Sequence, residues 1–124
     1  MCELTNEINY LEISREALRY NADAVRRYVD CPVIGVLKCD GYGASIVEAA
    51  AAWKNGGATM FAVSEPQEAL LLREAGFCDD ILLLSPVADA ETLNDLLDER
   101  IILTVTSVET ARFYSRHMHQ HPIR

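Results

Sequence analysis

Val33-Ile-Gly-Val-Leu-Lys-Cys-Asp-Gly-Tyr-Gly43 starts as an apolar run and ends in a lysine followed by a glycine-containing turn. Uninterrupted apolar strands belong in parallel sheets. Three more such runs follow, Met60-Phe-Ala-Val63, Ile81-Leu-Leu-Leu84 and Ile101-Ile-Leu-Thr-Val105. Their ends fall at Lys38, Ser64, Ser85 and Thr106, steps of 26, 21 and 21 residues, which is the cadence of βα units and too long for hairpins. Helix starts follow each run. Ser45-Ile-Val-Glu48 and Ser64-Glu-Pro-Gln67 read as capping boxes, the second with proline in its first turn, and Asp89 and Ser107 read as caps of two later helices. Gly56-Gly57 and Gly76 supply the stops. Upstream, Ser14 caps an amphipathic helix reaching about Val29, with Leu18, Val25 and Val29 on one stripe. Ile8 to Ile13 reads as a short leading strand or an extended arm.

The chain is therefore α/β, built of parallel βα repeats. Periodicity leaves two architectures open, an open doubly wound sheet and part of an eight-fold barrel, because both use right-handed parallel crossovers. Both bind ligands at the carboxyl ends of their strands, so Lys38 to Ala44, Ser64 to Pro66, Ser85 to Val87 and Thr106 to Ser107 should line one face.

Composition narrows the class. The 124 residues are 50% hydrophobic and 24% charged, with a net charge of −8, as expected of one soluble globular domain. No apolar run approaches the roughly 18–20 residues that span a bilayer, and the basic residues form no stripe. Neither a membrane nor a nucleic acid is an expected partner; a small molecule or a protein is. The start, Met-Cys-Glu-Leu-Thr-Asn-Glu, has no export signal, and Cys2, Cys31, Cys39 and Cys78 fit no metal or redox spacing, so a cytoplasmic location with free thiols is expected. Cys39 has no base beside it in the sequence and reads as a free thiol rather than a nucleophile.

Chemistry concentrates at Lys38. A lysine closing a buried strand lies at the mouth of the sheet, where desolvation favours a neutral amine able to attack an aldehyde and form a Schiff base. Tyr42 offers a phenolic donor in the same loop, and the free N–H groups of the next helix could help hold an anion. By residue type alone, a lone lysine after a strand is more often a solvent-facing end residue.

The chain resembles the N-terminal barrel of the alanine racemases, fold-type III enzymes that use pyridoxal 5′-phosphate. Tyr10-Leu-Glu-Ile-Ser-Arg-Glu-Ala-Leu-Arg-Tyr-Asn21 resembles the family's opening strand and helix, and Gly35-Val-Leu-Lys-Cys-Asp-Gly-Tyr-Gly43 its cofactor-lysine motif. Ala62-Val-Ser-Glu-Pro-Gln-Glu-Ala-Leu-Leu-Leu-Arg-Glu-Ala-Gly76 resembles the second strand and helix, and Ile81–Leu84 and Ile101–Val105 the third and fourth strands. The resemblance implies the first half of a (β/α)8, TIM-type barrel spanning residues 1–124. It implies that Lys38 carries the cofactor as a Schiff base and acts as a catalytic base, that Tyr42 binds the cofactor phosphate, and that Val36 and Leu84 wall the ring. The implied reaction interconverts L- and D-alanine, with serine racemisation or decarboxylation left open by the absent half of the site, and the implied assembly is a homodimer. The family motif carries an amide where this chain has Asp40 and a histidine where it has Ala44. The family's remaining four βα units, its C-terminal β domain, the second base (a tyrosine from the partner subunit) and the arginine facing the pyridine nitrogen have no counterpart here. A truncated, non-catalytic or merely cofactor-binding chain is therefore the alternative reading. Its open sheet edges would favour self-association.

No metal site is expected. His117-Met-His-Gln-His121 has the spacing of a metal clip, but reads better as a helix end and linker. Glu65, Glu68, Arg73 and Glu74 read as a solvated helix face without a role.

Overall fold

A computed structural model of the chain describes residues 11–117. Residues 8–10 of the leading segment lie outside them, and 11–13 carry no regular secondary structure. The order is α1 (Arg15–Tyr28), β1 (Ile34–Val36), α2 (Lys38–Tyr42), α3 (Ile46–Asn55), β2 (Met60–Val63), α4 (Pro66–Glu74), β3 (Asp80–Leu83), α5 (Ala90–Asp98), β4 (Ile102–Leu103) and α6 (Val108–His117). Four βα units are present, as the spacing of the apolar runs requires.

The strands form one sheet in the order β1-β2-β3-β4, all parallel. This order settles the choice that periodicity leaves open, because a doubly wound sheet reverses direction at a switch point and this one does not. Successive right-handed crossovers to the next neighbour put every helix on the same side. The helices accordingly pack in series, α1 on α3, α3 on α4, α4 on α5 and α5 on α6. The register pairs Val36 with Ala62, Ala62 with Leu82, and Leu82 with Ile102.

The strand period of two divides the side chains between the faces. Leu37, Phe61, Val63, Ile81, Leu83, Ile101 and Leu103 point into the helix layer and are buried with Ile46, Ala49, Leu72, Leu93 and Leu96. Gly35 belongs to this face: a Cβ there would lie 2.6 Å from Cε3 of Trp53, so the indole of α3 rests on bare β1 backbone. The opposite face is covered only in part, with Ile34 48% and Leu84 40% exposed. Strands that read as buried on both faces thus have one open face among the described residues.

Local capping explains most boundaries and corrects two. The Ser14, Asp89 and Ser107 side chains accept from the amides of Ala17, Thr92 and Thr110, as expected of N-caps. Ser45 makes no capping bond; its φ is +62°, and Asp40 Oδ1 accepts from Ile46 N–H at 2.8 Å instead. Glu48, the other half of that expected box, binds Arg15 of α1 at 2.7 Å. On α4 the cap is Glu65, one residue beyond Ser64, with Glu68 Oε2 accepting from the Glu65 amide at 3.1 Å.

α1 buries none of its residues. It approaches α3 where Gly56 leaves room, since a Cβ there would lie 2.6 Å from both Ala22 Cβ and the Arg19 carbonyl. Between α1 and the unpaired edge of β1 runs an apolar groove of about 280 Å³ that includes Leu18, Val25, Ile34, Val36 and Trp53. Among the described residues no helix is long and apolar enough to cross a membrane.

Candidate cofactor site at the end of strand β1

Sheet hydrogen bonding continues one step past the strands on either side of β2. The Leu37 amide donates to the Ala62 carbonyl and the Leu84 amide to the Val63 carbonyl, both at 2.8 Å. Leu37, at φ −114° and ψ 11°, ends the extended backbone, so Lys38 opens the turn just beyond the carboxyl end of β1. Val36, in register with Ala62 and through it with Leu82, lies on the open face, and Leu84 follows β3 at the same end. Lys38 and Val36 are half-buried, Leu84 is 40% exposed, and Tyr42 is 63% exposed on the adjoining turn. The four candidate residues thus lie at or just beyond the carboxyl ends of β1 and β3.

The segment that carries Lys38 into α3 is a left-handed turn. Cys39, Asp40 and Gly41 have φ/ψ near +56/+49, +53/+47 and +63/+32, and Tyr42 and Gly43 follow at φ +56 and +83. Glycine tolerates this region, but each L-residue in a left-handed helical turn costs roughly 1–2 kcal/mol. Cys39, Asp40 and Tyr42 together carry a strain of about 3–6 kcal/mol by that measure, which neighbouring contacts must offset. Gly41 N–H donates to the Leu37 carbonyl at 2.8 Å, and Gly41 itself is buried against Ile46 and Ala49 of α3. Asp40 is held from both sides. Its carboxylate accepts from Ile46 N–H, and its own N–H donates to Glu68 Oε1 at 3.2 Å.

Two expectations change here. The first backbone donor of α3 is not free for an anion, because Asp40 occupies it. That also explains how an acid serves where related motifs have an amide: the carboxylate is turned onto a helix N-terminus, where negative charge is favoured. Glu68 is not a solvated residue without a role, since it accepts from the amides of Ser64 (3.0 Å), Glu65 and Asp40. Arg73 is likewise bonded. Its guanidinium reaches the carbonyls of Phe77 (2.7 Å), Asp79 (2.8 Å) and Glu99 (2.9 Å), and so joins the approaches to β3 and β4. Sequence reasoning missed both because their partners are backbone groups; the one available signal was Glu68 at the third position of a helix start.

Tyr114 of α6 reinforces the same end of the sheet. Fully buried, it accepts from Val87 N–H at 2.9 Å, and its hydroxyl donates to the Thr104 carbonyl at 3.4 Å. His117 closes α6, exposed, with its ring against Phe113, while His119 and His121 lie outside the described residues. Among the described residues no cluster suits a metal ion, and Cys31, Cys39 and Cys78 are free and exposed.

A singly wound parallel sheet with a half-buried lysine at the carboxyl end of its first strand defines an α/β protein of (β/α)8 barrel type. Residues 13–124 match the family model described as alanine racemase, N-terminal domain, and the chain belongs to that family. An alanine racemase from Prochlorococcus marinus is 36% identical over 104 residues, 82% of this chain and 27% of that protein. One from Listeria monocytogenes is 37% identical over 98 residues, 77% and 27% of the two chains. The crystal structure of alanine racemase from E. faecalis superimposes with a TM-score of 0.80 at 34% identity, covering 90% of this chain and 31% of that one. The chain thus spans about a quarter of the length of these curated relatives and corresponds to the first half of a TIM-type barrel. A histidine racemase from Leuconostoc mesenteroides shares the fold with a TM-score of 0.76 at 22% identity.

Proposed function

We propose that Lys38 holds pyridoxal 5′-phosphate and that the chain serves a racemase acting on alanine. The observation that carries this is the position of Lys38, half-buried at the carboxyl end of β1 and opening the turn that bears Tyr42. The residues fit the group by their chemistry: an amine for its aldehyde, aliphatic walls for its ring and a phenolic donor for its phosphate. When bound, the group supplies an electron sink that acidifies the α-proton of an amino acid. Lys38 would carry it covalently and, once released by the substrate amine, remove or return the proton at the substrate α-carbon. Val36 and Leu84 would flank the ring and exclude water, and Tyr42 Oη would donate to the phosphate. Alanine is the substrate named for most of the relatives; serine or another amino acid would be distinguished by assay. A cytoplasmic location and a homodimer go with this reading.

A second reading, cofactor capture without racemisation, is favoured by one observation. The residues that directly follow β2, β3 and β4, which are Ser64, Leu84 and Thr104, include no second base. In that case the open face and free strand edges would be covered by self-association, and sedimentation across micromolar dilution would show a monomer–oligomer equilibrium. The deciding experiment is an absorbance titration with pyridoxal phosphate, followed by borohydride reduction and peptide mapping. Lys38 and Lys54 are the chain's two lysines, so the site of a reduced adduct is readily assigned. An adduct on Lys38, lost in Lys38→Ala and kept in Lys54→Ala, supports cofactor capture; conversion of L- to D-alanine then separates racemisation from capture alone. An adduct on neither lysine overturns both readings.

A further inference from the structure

We infer that Glu68 is a positioning residue for Lys38, its two carboxylate oxygens divided between a helix cap and the left-handed turn that follows the lysine. This deepens the reading above and rests on it for the role of Lys38, while the tether itself stands on geometry alone. Oε2 accepts from the Ser64 and Glu65 amides at 3.0 and 3.1 Å, the ordinary duty of an acid in the first turn of α4. Oε1 does something a cap does not require. It accepts from Asp40 N–H, 28 residues away in sequence, at 3.2 Å.

Asp40 sits in the middle of the strained turn, and its own carboxylate is committed to Ile46 N–H. The turn is thus pinned at one residue to the starts of two helices, α3 through the side chain and α4 through the main chain. Without the bond to Oε1, the Asp40 amide loses a charged acceptor, and the left-handed residues Cys39, Asp40 and Tyr42 lose one of the contacts opposing their relaxation. Lys38 precedes this segment and Tyr42 ends it, so their relative placement depends on whether the turn holds. Both oxygens of Glu68 are needed, which makes the position selective for a carboxylate.

The substitution that separates the two duties is Glu68→Gln. One amide oxygen can keep the Ser64 and Glu65 bonds, but the NH2 group then faces the Asp40 N–H, donor against donor. In E68Q, exchange of the Asp40 and Gly41 amides should accelerate on the order of 10- to 100-fold, while Ser64 and Glu65 stay protected. Lys38 should change its rate of reductive methylation by formaldehyde and borohydride relative to Lys54, the internal reference. The affinity of Lys38 for pyridoxal phosphate should fall by a similar factor. Glu68→Ala, which removes both duties, should deprotect all four amides.

Unchanged Asp40 exchange in E68Q would overturn the tether. Loss of Ser64 and Glu65 protection, or failure of E68Q to fold, would reduce Glu68 to a cap and overturn the inference too. A tether confirmed by exchange but without effect on Lys38 methylation would refute the positioning role. A wild-type chain that takes up no pyridoxal phosphate would defeat the functional reading alone, because exchange and methylation report without the cofactor.

Discussion

Replacing Tyr114 by phenylalanine removes one oxygen and leaves every apolar contact of the ring in place. That oxygen is the acceptor for Val87 N–H at 2.9 Å, in a fully buried setting that offers the amide no water. An unsatisfied buried donor costs about 1–3 kcal/mol. The bond to the Thr104 carbonyl, at 3.4 Å, is long enough to add little, and Thr104 itself is anchored by its hydroxyl to the Leu83 carbonyl at 2.6 Å. Tyr114→Phe should therefore lower the unfolding free energy by about 1–3 kcal/mol, which is roughly 4–12 °C in Tm for a domain of this size. Urea unfolding is the assay, read as a fall in midpoint at constant slope. Val87 should also lose amide protection before Leu83 does, since the bond closes the loop after β3 and leaves the strand itself unaltered. An unchanged midpoint, or equal deprotection of Leu83 and Val87, would refute the assignment of this hydroxyl as the clasp of the β3–α5 loop.

Arg73→Lys retains the charge but cannot reproduce a fork that serves the Phe77, Asp79 and Glu99 carbonyls; a loss of about 1–3 kcal/mol in urea unfolding is expected, and a neutral result would show those bonds to be replaceable by water. At Asp89 the Thr92 N–H bond holds the carboxyl below its usual 3.8. A depressed folded-state value contributes stability that is complete above the unfolded-state value and is lost as pH falls through the folded one. The acid limb of a stability–pH curve below about pH 4 should thus be steeper in the wild type than in Asp89→Asn, and parallel limbs would contradict this.

The fold was legible where its determinants are local. Four apolar runs at regular steps announce the strands, and Ser14, Asp89 and Ser107 cap the helices they precede, because a cap needs a partner only two or three residues away. Ser45 and Ser64 misled for the same reason in reverse. At Ser45 the acceptor comes from Asp40 across a left-handed turn that no residue pattern declares, and on α4 the cap moves to Glu65. Glu68 and Arg73 have the composition of a wet helix face, and only the fold brings the Asp40 amide and the Glu99 carbonyl, 28 and 26 residues distant, to meet them. The sheet order could not be read from periodicity, yet it is what separates a barrel segment from a doubly wound sheet. At the site, Lys38 and Tyr42 were visible as residue types, while the strain that joins them was not.

The plain 1-2-3-4 strand order also has a consequence in time. Every strand pairs with the one synthesised just before it, so no βα unit waits for a distant segment before it can dock. A ribosome adding about 5–20 residues per second delivers each unit of 21 to 26 residues in roughly 1–5 s. Secondary structure forms far faster than that. The sheet can grow as a ratchet from its first strand, each new unit settling onto a finished edge, with the lysine turn assembled as soon as α4 arrives to supply Glu68.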